Sequence, residues 1–118
     1  IYTASGASEM DWLHVVCYFF GGAFLSNAVP HFVSGVMGEP FQSPFAKPPG
    51  KGLSSSTVNV LWGFFNIVVG YLLVFRVGDF ELKVTTDALP FGMGILAMGL
   101  LGARLFGKLH GGNNPKRT

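Results

Sequence analysis

Charge is what this sequence has least of: Asp, Glu, Lys and Arg make up 12% of its 118 residues, against roughly 25% in ordinary soluble domains. Acids are missing altogether from its three long apolar runs. That excludes paired intramembrane carboxylates for acid–base chemistry and gives no ionisable path for protons or ions. A single cysteine, Cys17, excludes an intrachain disulfide. No G-x-S-x-G elbow is present, and Gly92-Met93-Gly94 lacks the preceding strand and the further glycine of a dinucleotide fingerprint. The net charge of +2 is too small to point to nucleic acid. There is no internal repeat and no low-complexity segment.

What the chain has in quantity is apolar surface. Hydrophobic residues reach 49%, with 12 Phe and 17 Gly, and the mean hydropathy is +0.45. Gly is tolerated in membrane helices and aromatics anchor their interfaces. A helix crossing the bilayer needs about 20 mostly apolar residues. Three segments come close, at about 12–29, 58–77 and 88–107, and none carries the extended polar stripe of a soluble amphipathic helix. The expectation is a single all-α membrane domain: three transmembrane helices with a long ordered interfacial loop between the first and second. No basic n-region precedes the first run, which therefore reads as a span rather than a signal peptide.

Local signals mark the helix ends. Glu9 and Asp11 are placed for the positive end of the first helix dipole, and Pro30 kinks or ends that helix. Ser54, Ser55, Ser56 and Thr57 are N-cap candidates for the second. Asp87 is the expected cap of the third, with Pro90 in its first turn and Gly107 and Gly111-Gly112 stopping it.

Basic residues set the expected orientation. The first loop and the C-terminal end carry Lys47, Lys51, Arg104, Lys108, Lys116 and Arg117, whereas the opposite side has Arg76 and Lys83 among five acids. The positive-inside rule then places the N-terminus outside and the C-terminus in the cytoplasm. The first loop, roughly 34–56, contains four prolines and four glycines and cannot be a regular helix. It also holds Phe41 and Phe45. Two readings stand side by side: an ordered loop with Phe rings turned into the lipid interface and Lys47 and Lys51 near phosphates, or a docking surface for another subunit. The second loop, 78–86, reads as a small β-like or interfacial turn.

Polar groups inside a bilayer are the natural place to look for function. Asn59, Gly63, Asn66 and Gly70 are spaced by four, three and four and so share one face of helix two. Such a face predicts close helix packing with interhelical hydrogen bonds. Gly99 and Ala103 form a small-xxx-small pair on helix three, and Gly22 and Ser26 another on helix one. His14 and His31 lie about 25 Å apart along one helix, so they do not ligate one ion or one haem together. No metal site is expected, and no cofactor belongs to the chain alone. A haem or quinone shared with a partner would involve His14, His31, Trp62 and Asn66.

Through Asn27-Ala28-Val29-Pro30-His31, Phe41-Gln42-Ser43-Pro44-Phe45-Ala46 and Asn59-Val60-Leu61-Trp62-Gly63, the chain resembles small uncharacterised inner-membrane proteins of proteobacteria. The likeness covers roughly the middle half of the chain. It implies a multi-pass protein of the bacterial cytoplasmic membrane and names no activity. The function expected is that of a non-catalytic accessory or structural subunit of a larger inner-membrane complex, energy-transducing or respiratory, with other membrane subunits and lipids as partners. The alternative is a membrane anchor contributing to a quinone or haem site of a partner oxidoreductase.

Overall fold

The computed structural model describes the backbone of residues 4–116 and the side chains of 12–116. It consists of α1 (Ala4–Val36), β1 (Phe41–Gln42), β2 (Leu53–Ser54), α2 (Ser56–Phe75) and α3 (Thr85–His110). All three helices are long and apolar enough to cross a membrane. α1 lies in the middle, packed against both α2 and α3, which have almost no contact with each other.

Helix α1 is longer than the sequence suggests. It begins at Ala4, so Glu9 and Asp11 fall inside it, and it runs through Pro30 to Val36. Proline breaks helices in water because the freed carbonyl and the ring clash carry a cost. In a membrane helix, neighbouring helices and local adjustments absorb that cost. α2 starts where the serines predicted, with Ser55 Oγ accepting a hydrogen bond from Val58 N at 3.1 Å. α3 starts earlier than expected: its N-cap is Val84, without a side-chain bond. Asp87 is instead a loop tie, its Oδ2 accepting from Glu81 N at 3.0 Å. Gly107 lies within the helix, which ends where Gly111 takes the left-handed conformation, φ 74°.

The long loop is a short antiparallel hairpin, Phe41 opposite Ser54 and Gln42 opposite Leu53. Its tip is closed by Gly50 N donating to Ser43 O at 2.8 Å and Gly52 N to Pro48 O at 2.8 Å. The second loop contains no strand; Phe80 turns inward onto Tyr18, Phe75 and Phe91.

The interior is more polar than the surface. The buried hydrophobic residues are Tyr18, Ala23, Ala28 and Val74, and the buried polar ones are His31, Gln42, Ser43, Asn59 and Asn66. Large side chains point outward, Leu61 at 65% and Leu100 at 62% exposed. Lipid tails are as apolar as leucine, so helices in a bilayer are joined by close backbone approach and hydrogen bonds rather than by expulsion of water. Glycine supplies the approach here. A Cβ on Gly70 would lie 3.0 Å from Gly21 O, and one on Gly63 would lie 2.7 Å from Phe32 N, so α1 and α2 meet backbone to backbone at both points. α3 meets α1 through Gly94, against Phe19 O and Ala23 N, and through Gly22 of α1, against Phe91 O and Ile95 N.

The remaining small residues of α3 behave differently. Gly99 and Ala103, expected at a close helix contact, are exposed. The nearest atom to a Cβ on Gly99 is Ser26 Oγ at 3.7 Å, and Gly92 has nothing within 4 Å. Gly94→Ala should therefore cost about 1–3 kcal/mol through overpacking against backbone. Gly92→Ala should be neutral or stabilising by up to about 1 kcal/mol. Unfolding in mixed micelles, followed by circular dichroism, measures both; equal losses would contradict the packing described.

Candidate functional site

At the hairpin end of the bundle, α1 presents Asn27 and His31 one turn apart, and α2 presents Asn59 and Asn66 two turns apart on its buried face. The chains pair in antiparallel order. Asn27 Nδ2 donates to Asn66 Oδ1 at 3.1 Å, and Asn66 Nδ2 donates to Trp62 O at 2.8 Å. His31 Nδ1 lies 2.9 Å from Asn59 Oδ1.

The Asn59 amide is fixed by what its nitrogen reaches. Nδ2 is within 3.1 Å of Phe41 O, 3.2 Å of Ser54 O and 3.1 Å of Ser55 O. Carbonyls only accept, so the NH2 faces them and Oδ1 faces the imidazole. An amide oxygen also only accepts; Nδ1 of His31 therefore carries the proton, and in the neutral ring Nε2 is an acceptor. One side chain thus sets the tautomer of His31 and holds the first and last residues of the hairpin.

His31, 3% exposed, is enclosed by aromatic rings set edge-on: Phe41 at 5.4 Å, Phe106 at 6.1 Å and Trp62 at 6.3 Å between centroids. Phe41 also packs on Phe106 at 4.8 Å. His110, at the end of α3, places Nε2 2.9 Å from Gln42 Oε1 and so joins α3 to the hairpin. Ser43 Oγ lies 2.5 Å from Ser54 Oγ across the hairpin. These groups surround a chamber of about 190 Å³ walled by Asn27, His31, Gln42, Ser43, Trp62 and Phe106. Trp62 Nε1 is buried with no hydrogen-bond partner.

The structure brings together some of the expected residues and separates others. His31 and Trp62 share the chamber. Asn66 sits one turn from Trp62 and faces a separate, apolar cavity of about 360 Å³ between α2 and α3, which Asn27 also lines. His14 belongs to the opposite end, stacked on Tyr18 at 6.0 Å. Asn59, Gly63, Asn66 and Gly70 are all buried. Phe41 is turned into the bundle rather than into the lipid interface. Phe45 is 63% exposed and rests edge-on against Trp62 at 5.2 Å. Among the described residues, no three of His, Cys, Asp or Glu converge as a metal site would need. Gln42, Ser43 and His110 were not legible as site residues. Only the Gln-Ser pair set between two phenylalanines in a Pro-rich loop hinted that the hairpin folds inward.

Asn59→Ala should free the hairpin, because it orphans the His31 Nδ1–H and the carbonyls of Phe41 and Ser54. At roughly 1–3 kcal/mol per buried unsatisfied group, a loss of at least about 2 kcal/mol is expected, with trypsin then cutting at the exposed Lys51. Asn66→Ala removes interhelical bonding worth about 0.6–2 kcal/mol and should leave Lys51 protected. Identical cutting of the two variants would rule out Asn59 as the pin. No protein family, no curated protein and no solved structure matches this chain.

Proposed function

We propose that the chain is a non-catalytic accessory or structural subunit of a larger complex in a bacterial cytoplasmic membrane, energy-transducing or respiratory. The observation that carries this reading is the state of α3. Among its residues only Gly94 is buried, yet the helix keeps Gly92, Gly99 and Ala103 on one face, at intervals of seven and four. A glycine inside a helix costs about 1 kcal/mol relative to alanine, and among the described residues nothing uses the absence of a side chain at Gly92. Small residues at such spacing are what a closely packed membrane helix requires of its neighbour. A helix of another subunit accounts for them.

Gly99→Leu tests this directly. A Cβ there meets Ser26 Oγ at an ordinary 3.7 Å, beside an open groove of about 290 Å³ between α1 and α3. The substitution should therefore leave the fold intact, with helicity checked by circular dichroism, while reducing the native assembly to a smaller species on native electrophoresis after mild solubilisation. Recovery of the wild-type protein as a free monomer, or an assembly indifferent to Gly99→Leu, would sink the proposal.

The orientation that fits this role has the hairpin and the C-terminal end in the cytoplasm. It rests on Lys47, Lys51, Arg104 and Lys108 at that end, against Asp79, Glu81 and Asp87 with Arg76 and Lys83 at the other. A phosphatase fusion at the C-terminus should be inactive and a green fluorescent fusion bright. The opposite pair of results reverses the topology.

A second reading, a membrane anchor that contributes to a quinone or haem site of a partner oxidoreductase, is favoured by the meeting of His31 and Trp62 around one chamber. Of the two cofactors, quinone suits it better. Nδ1 of His31 is committed to Asn59, which leaves Nε2 free for either, but the imidazole is buried against a chamber of only about 190 Å³, which suits a quinone ring better than a porphyrin.

A further inference from the structure

The walls of the chamber mix the polar side chains of Asn27, His31, Gln42 and Ser43 with apolar surface from Pro44, Trp62 and Phe106, and hold no Lys, Arg, Asp or Glu. Polar side chains enclosed at membrane depth are costly unless they have partners, and here one donor, Trp62 Nε1, has none. The residues that line the chamber thus include an indole donor without a partner, an imidazole whose Nδ1 is spent, leaving Nε2 an acceptor, and the NH2 of Gln42, whose oxygen already lies against His110. That mixture suits a small head bearing carbonyl or hydroxyl oxygens. It does not suit a phosphate, which would enter without a cation to meet its charge.

An apolar cavity lies beside the chamber. Asn27 lines both the chamber and this cavity of about 360 Å³, whose walls include Phe20, Phe24, Met98 and Leu101. Phe24 and Phe20 lie about one and two turns further along α1 from Asn27. That cavity therefore runs from beside the chamber toward the middle of α1, along the gap that α2 and α3 leave over that helix. The hairpin closes the other end, with Gln42 and Ser43 buried at 6% and 1%. A ligand would enter from the bilayer.

We propose that the chamber and this trough form a binding site for an isoprenoid quinone or its quinol, with the ring between His31, Gln42 and Trp62 and the tail along Phe24 and Phe20. The inference rests on the second reading above and is independent of the α3 face proposed for a partner subunit. Binding by the isolated full chain therefore tests it separately from complex assembly.

The test uses decylubiquinone with the full chain in phosphatidylcholine nanodiscs. Trp12 is 71% exposed at the far end of α1, so Trp12→Phe leaves Trp62 as the reporter. Its emission should be quenched saturably, and decanol or diacylglycerol should not compete. Ala97→Phe, which fills the trough from an exposed position on α3, should raise the half-saturating concentration about tenfold or more, a factor worth 1.4 kcal/mol per decade. Gln42→Leu should do the same from the head end, with helicity checked by circular dichroism in both variants. Quenching that rises linearly with quinone, is equal in folded variants and wild type, or is displaced equally by diacylglycerol would overturn the site. Native electrophoresis of the same variants reports on the subunit proposal, whichever way the quenching falls.

Discussion

The hydrogen bond between His31 and Asn59 is the contact on which the rest of this structure depends. In water it would be one exchangeable interaction among many, worth little more than its replacement by solvent. Within a bilayer neither partner has water to return to, so the pair is a positional constraint as well as a contact. Asn59 adds to it by gathering the carbonyls of Phe41 and Ser54, the two ends of the hairpin ladder. A single amide thereby joins α1, α2 and the loop. The tautomer of His31, the inward turn of Phe41 and the chamber beside them all follow from its orientation.

The helix contacts show why such a constraint is needed. Where α1 meets α2, glycine lets backbone touch backbone at Gly21 and Gly70 and again at Gly63. Van der Waals packing of this kind holds two helices together but is tolerant of sliding, because neighbouring turns and lipid tails offer similar contacts. The Asn27–Asn66 and His31–Asn59 pairs are not tolerant. A shift of one turn would break both pairs and leave His31 Nδ1–H and the Oδ1 atoms of the buried Asn59 and Asn66 unsatisfied, each costing about 1–3 kcal/mol. Glycine sets how closely α1 and α2 approach, and the amides set their register.

Much of this was legible in the residues, and the exceptions have physical causes. Three spans followed from run length and from the missing acids, and the Asn59–Gly63–Asn66–Gly70 face followed from helical spacing alone. Pro30 misled because the rule that proline ends helices is learned from water, where nothing else satisfies the freed carbonyl. Gly99 and Ala103 had the spacing of a packing pair, but spacing does not say whether the neighbour lies in the same chain; Gly94, five residues earlier, makes the contact with α1. The hairpin was opaque for a different reason. Its strands are two residues each, too short for any period, and they are held by groups distant in sequence: Asn59, His31 and, across 68 residues, His110.

That last contact separates α3 from the other two helices. Among the described residues, no side-chain hydrogen bond joins α3 to α1. Gly94 and Gly22 bring the two helices close, but nothing polar fixes their register. What fixes α3 along its length is the loops: Asp87 ties its first turn to Glu81, and His110 ties its last to Gln42. Gln42 is at once a wall of the chamber and the clasp of α3. A neighbour leaning on the exposed small-residue face of α3 would push on the helix least constrained by the core, and its displacement would be felt first at Gln42. The surface most open to a partner and the chamber most suited to a ligand are therefore joined by one glutamine side chain, and Phe106 and His110 continue the same face of α3 into the chamber end.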